Sequence, residues 1–123
     1  RVYDKRPEYW KKGVVEQIKY AAEWSKHTNQ GLITTECWGV VNFKDWPLLD
    51  WGYVKELCAL GTEEAAKSGR WLSIGSSNFC GPQFVGMWRA IEWHKRLTDI
   101  IHKANVDENL QSSPLALRMK EII

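Results

Sequence analysis

The residue most able to do chemistry is Glu36. It closes a short apolar and β-branched run, Leu32-Ile33-Thr34-Thr35-Glu36-Cys37-Trp38-Gly39. A carboxylate at the end of an apolar strand is costly to bury unless it is hydrogen-bonded or put to use. Glu36 therefore either pairs with a Lys or Arg or serves as a nucleophile, a general base or a metal ligand. Cys37 stands beside it, and Cys80 lies in a second candidate strand-end segment, Ser76-Ser77-Asn78-Phe79-Cys80-Gly81. A thiol nucleophile would need a histidine base within reach. His27, His94 and His102 all fall on helical stretches, and a Cys–His hydrolase is disfavoured. His94 and His102 are eight residues apart with no third ligand beside them, so no metal site is assigned. The three cysteines form no CxxC pair and read as buried reduced thiols.

Composition bounds what these residues could act on. The 123 residues are enough for one ordinary domain, and a charge of +2 comes from 17 basic and 15 acidic side chains spread along the chain. Without a dense Lys/Arg cluster, neither nucleic acid nor an anionic membrane is an expected partner. No apolar run approaches the roughly 18 residues of a membrane span. Eight tryptophans are well above ordinary usage. Trp fills cores, but its flat apolar face also stacks on the C–H faces of sugar rings. Trp38 and Trp46 are candidates for that role, while Trp51, at a helix start, reads as packing.

The elements that must position these groups follow from periodicity. An amphipathic helix is expected over about 8–27, with Trp10, Val14, Ile18, Ala21 and Ala22 on its apolar side, Pro7 before it and Asn29-Gln30-Gly31 after it. The run 32–38 has no clean alternation and suits a strand buried on both faces. A loop over 39–49 leads to a helix over about 50–68, with Asp50 as N-cap, Val54, Leu57, Cys58 and Ala65 inward, and Ser68-Gly69 at its end. Gly61 before Thr62-Glu63-Glu64 could mark a break with a fresh cap at Thr62. A second strand is expected over 71–76, followed by the polar loop Ser77 to Gln83. A last helix spans about 87–104, with Ile91, Leu97, Ile100 and Ile101 inward and Glu92 paired with Arg89 and Arg96 on its surface. Residues 105–123 read as a polar tail, broken at Pro114, with room for a short helix.

Helix, strand, helix, strand, helix indicates βαβ units and a parallel sheet. Two strands do not make a doubly covered sheet, and a full eight-unit barrel averages about 250 residues. The expected fold is thus α/β, a C-terminal fragment of a (β/α)8 TIM barrel over 1–104 with the tail over 105–123. The opening Arg1 agrees with a chain cut from something longer, and the missing N-terminal barrel units are its expected partner. In such folds functional groups gather at the C-terminal ends of the strands, which selects the segments after Thr35 and after Gly75. Asn78 and Gln83 there could hydrogen-bond sugar hydroxyls.

The Glu36 strand resembles the nucleophile strand of retaining glycoside hydrolases of the cellulase-related barrel group. The stretch Trp71 to Leu97, with Ser77-Asn78-Phe79-Cys80-Gly81-Pro82-Gln83-Phe84 and Gly86-Met87-Trp88-Arg89, is similar to the end of cellulase-like proteins. Together the likeness covers about residues 8–104. It implies hydrolysis of β-linked glycosides by double displacement, with Glu36 as nucleophile and two carboxyl groups about 5–5.5 Å apart. No cofactor is implied. The acid/base partner belongs to a strand upstream, so this chain alone should be inactive. The rival readings are a barrel that binds carbohydrate without catalysis, and an unrelated α/β enzyme in which Glu36 is a general base or metal ligand.

Overall fold

The computed structural model describes residues 2–35, 38, 51–75, 89–111 and 118. A one-turn helix, α1 (Val2–Lys5), precedes the long helix α2 (Pro7–Thr28). Pro7 sits in the first turn of α2, where its missing N–H costs nothing and its fixed φ suits a helix. Asn29 ends α2 in the left-handed conformation at φ 52°, and its N–H donates to the Ser25 carbonyl. This is the stop expected from Asn29-Gln30-Gly31. Ile18, Ala22 and Ser25 are buried, whereas Trp10 is 42% exposed, so Trp10 belongs to a different face from the buried set.

Strand β1 (Leu32–Thr34) pairs in parallel with β2 (Trp71–Ile74), and α3 (Gly52–Lys67) makes the crossover between them. This is the expected βαβ unit, and among the described residues the parallel sheet has two strands. Leu32 opposes Trp71, Ile33 opposes Ser73 and Thr34 opposes Ile74, with an irregularity after Leu32. The strand is not buried on both faces here: Ile33 is 63% exposed, and its opposite residue Ser73 is exposed on the same side. Among the described residues helices cover only the other face, so alternation returns where two-sided burial was expected.

Helix α3 begins at Gly52, with Trp51 at its N-cap and no capping side chain. Asp50, expected as the cap, lies outside the described residues. Helix α3 is continuous through Gly61 and Thr62, which corrects the expected break. Both are buried, and a Cβ on Gly61 would stand 2.6 Å from Cε3 of Trp38. The glycine is there for a ring, not for a turn. At the other end Gly69 takes φ +73°, a conformation glycine adopts at no steric cost.

Helix α4 (Ile91–Lys103) packs on α3. Trp51, Val54, Cys58, Ala59 and Leu97 form the core, flanked by Tyr53, Trp93 and Ile100. Ile91, expected inward, is 56% exposed at the first turn of α4. Arg96 pairs across to Glu63 of α3 at 2.6 Å and Glu92 pairs with Lys95 at 3.0 Å. The expected surface pairing along α4 is thus replaced by one tie between helices and one to a different neighbour.

The one-turn helix α5 (Glu108–Gln111) belongs to the stretch read as a polar tail, yet Leu110 is 1% exposed. The Asp107 N–H donates to the Gly69 carbonyl at 2.9 Å, and Arg70 reaches Asp107 Oδ2 at 3.3 Å. The segment at Asp107 is docked beneath the N-terminal end of β2. No described helix is long and apolar enough to cross a membrane.

Candidate functional site at the strand ends

Parallel pairing brings the C-terminal ends of both strands to one edge of the sheet. The Gly75 N–H donates to the Thr34 carbonyl at 2.7 Å, carrying the ladder one residue beyond β2. A Cβ on Gly75 would lie 3.2 Å from the Thr35 carbonyl oxygen and 3.3 Å from that of Thr34. The absence of a side chain lets the two chains leave the sheet in close contact. The segment bearing Glu36 and the segment bearing Asn78 and Gln83 therefore depart from adjacent points. Glu36, Trp46, Asn78 and Gln83 themselves lie outside the described residues, as do Cys37 and Cys80.

Trp38 is the one described member of the expected site. Its ring rests against Gly61 of α3 and meets Trp71 edge-on, with centroids 6.1 Å apart and planes at 73°. An edge-to-face pair places the positive rim of one ring on the negative face of the other. Trp71 in turn donates from Nε1 to Thr34 Oγ1 at 2.8 Å. Thr34, Trp71, Trp38 and Gly61 thus make a continuous stack from the end of β1 to the helical layer. Trp38 braces the strand end from the helix side, and it also lines a groove of about 620 Å³ with Tyr9, Trp10, Gly13 and Val14 of α2. Sequence reasoning missed both Trp71 and this groove. Trp10 and Gln17, seven residues apart with Gly13 between them, were the available signal for the second.

Several of the described titratable groups on the helices are engaged in ion pairs. Glu56 accepts from Tyr3 Oη at 2.6 Å and pairs with Lys11 at 2.6 Å. Those two partners hold the Glu56 carboxyl below its ordinary range, Lys11 foremost, and Lys11 is correspondingly raised. Burial, followed by the carboxylate of Glu56, pushes the Tyr3 phenol up to about 12. Glu8 pairs with Lys11, Glu16 with Lys12, Glu23 with Lys26 and Glu92 with Lys95. A cleft of about 360 Å³ between α3 and α4 is lined by the Glu56 and Glu63 pairs and lies on the outer helical layer. Among the described residues, no group of three or more His, Cys, Asp or Glu could hold a metal ion.

A parallel βαβ unit whose strand ends meet at one edge defines an α/β arrangement. Over residues 1–102 the chain matches the family model described as sugar-binding cellulase-like, and it belongs to that family. It is also similar to a crystal structure of a "putative glycoside hydrolase" from Parabacteroides distasonis ATCC 8503, at 49% identity and a TM-score of 0.90. That similarity covers 100% of this chain and 32% of the other, so the chain spans about a third of the solved relative's length. Among curated proteins nothing matches it.

Proposed function

We propose that this chain supplies the closing β–α units of a (β/α)8-barrel glycoside hydrolase, and that Glu36 is its nucleophile. The observation that carries the reading is the contact of the two strand ends at Thr34, Thr35 and Gly75. The residue after Thr35 is Glu36, and in a parallel barrel reacting groups are drawn from such ends. Membership of the sugar-binding cellulase-like family and the likeness to a solved hydrolase relative support the same reading.

In the reaction Glu36 attacks the anomeric carbon while a second carboxyl group protonates the departing oxygen. Water then releases the sugar with retention, the second group now acting as base. That second group comes from another part of the longer barrel. Glu8, Glu16, Glu23, Glu56, Glu63, Glu64 and Glu92 all stand on helices, and all but Glu64 are held in the ion pairs described. Trp46, Asn78 and Gln83 contact the sugar, and Trp38 fixes the wall behind them.

The test uses the longer protein and an activated aryl β-glycoside. Glu36→Gln abolishes turnover and keeps the fold. Glu36→Ala regains it when azide is added, because the small anion takes the place of the lost nucleophile. Near-normal activity in Glu36→Gln would sink the assignment. A wild-type protein that binds oligosaccharide yet turns over no glycoside would favour a carbohydrate-binding barrel, a reading that the family's sugar-binding description supports.

A further inference from the structure

Helix α2 carries more apolar surface than its neighbours in this chain use. At 100° per residue, Lys11, Val15, Ile18, Ala22 and Ser25 fall on one arc, and α3 packs on it. Lys12, Glu16, Lys19, Glu23 and Lys26 fall on a second arc, with Lys12–Glu16 and Lys26–Glu23 ion pairs along it. That arc is exposed, and Lys12 and Glu16 from it also rim the groove that Trp38 lines. Trp10, Gly13, Gln17, Tyr20 and Trp24 make a third arc beside the other two. Trp10, Tyr20 and Trp24 are 42%, 74% and 47% exposed. A helix bordering only one neighbour and water needs one apolar stripe, and α2 has two.

The second stripe has the shape of a helix seat. Trp10, Gln17 and Trp24 recur every seven residues, which keeps one seam facing a partner helix. Between the aromatics lies Gly13, and a Cβ placed there would meet nothing within 4 Å. Glycine in a helix interior weakens the helix relative to alanine, and no contact within the described chain accounts for it. It opens the groove of about 620 Å³ bounded by Tyr9, Trp10, Val14 and Trp38, into which a large side chain from outside would fit. The sheet is open in the same sense: among the described residues β1 pairs only with β2, and Ile33 is exposed.

We infer that this stripe is the docking face for one amphipathic helix, the helix of the β–α unit that precedes α2 in a longer barrel. The inference rests on the barrel reading proposed above. The solved relative supplies the room for it, since 32% of its chain corresponds to all of this one. The partner helix offers a large apolar side chain to the Gly13 notch and small or apolar residues to Trp10 and Trp24.

The experiment places a photo-cross-linking benzoylphenylalanine at position 17 of the longer protein and maps the product by peptide mass spectrometry. The expected product is an intramolecular link from residue 17 to a helical peptide N-terminal to α2. In parallel, Trp24→Lys lowers the Tm of that protein by several degrees. A link between two copies would overturn the inference in favour of self-association. A link to residues 39–50, or no link together with an unchanged Tm in Trp24→Lys, would equally overturn it. None of these readouts uses activity. A lost cross-link with an unchanged Tm in Trp24→Lys, beside an inactive Glu36→Gln, sinks the docking face alone, whereas a correct cross-link beside an active Glu36→Gln sinks the hydrolase assignment alone.

Discussion

Arg70 and Ser25 lie 45 residues apart and meet in the interior: Nε of Arg70 donates to Ser25 Oγ at 2.8 Å and Nη2 donates to the Ser25 carbonyl at 2.9 Å. Arg70 is 2% exposed and Ser25 fully buried. Nη1 reaches Asp107, whose side chain is 44% exposed. The guanidinium thus ties the C-terminal turn of α2, the start of β2 and the segment before α5 at the sheet edge opposite the candidate site.

Substitutions around this cation should follow the burial of each partner. Ser25→Ala removes an acceptor from a buried charge and should cost about 1.5–3 kcal/mol. Arg70→Ala leaves the Ser25 acceptors without their donor and opens a void, costing about 3 kcal/mol or more. Asp107→Asn, at a half-exposed ion pair, should cost no more than about 1 kcal/mol. Urea unfolding of the three variants checks the order, and a larger loss from Asp107→Asn than from Ser25→Ala would refute it.

The contact of Gly61 with Trp38 gives a second prediction. Alanine at position 61 would ordinarily strengthen a helix by about 1 kcal/mol. Here its Cβ would stand 2.6 Å from the Trp38 ring, so the ring must shift and disturb its edge contact with Trp71. We expect Gly61→Ala to lower stability by about 1–3 kcal/mol, as other overpacked sites do. Trp38→Leu should relieve most of the added penalty. Additive effects of the two changes in a double-mutant cycle would show that the contact does not govern the glycine.

How much of this was legible in the sequence depended on whether a feature was local. The 3.6-residue pattern of α2, the Asn29 stop and the α3 crossover between two parallel strands are written in near neighbours, and all are found. The continuity of α3 through Gly61 was not, because the reason for that glycine is a ring 23 residues away. The docking of Asp107 under Gly69 was equally hidden in a stretch that reads as polar. Exposed Trp10 was assigned to the buried face because a helix with two apolar stripes looks, in one dimension, like a helix with one broad stripe. Of the candidate site, spacing indicated which strand ends meet, and Trp38 proved to bear on the helix side of that meeting.

Tyr3 and Glu56 give the fold opposite sensitivities at the two ends of the pH scale. Glu56 titrates below its ordinary value because Lys11 and Tyr3 favour its charged form. Its contribution is therefore present above the unfolded glutamate pKa and lost as pH falls through the lower folded value. With the side chain 47% exposed, that contribution should be at most about 1 kcal/mol. Tyr3, raised to about 12, contributes fully below the unfolded tyrosine pKa, and the contribution fades as pH rises through 12. Ultraviolet titration of tyrosinate should show one tyrosine lagging the others. In Glu56→Gln the lag should shrink without vanishing, since burial is the larger cause. A Tyr3 titrating with the other tyrosines would contradict this geometry.

Gly13 separates what α2 needs alone from what a partner needs of it. Nothing stands within 4 Å of the position a Cβ would take, and the flanking turns are regular helix. Gly13→Ala should therefore stabilise the 123-residue chain by about 0.5–1 kcal/mol through helix propensity and reduced freedom of the unfolded state. Gly13→Leu should be tolerated in the same chain, because its side chain meets open space. In the longer protein the leucine fills the notch that the adjoining helix needs, and stability should fall by about 1–3 kcal/mol. Calorimetric melts of both variants in both chain lengths check the contrast. Equal effects of Gly13→Leu in the two would mean that the notch is empty in the longer protein as well.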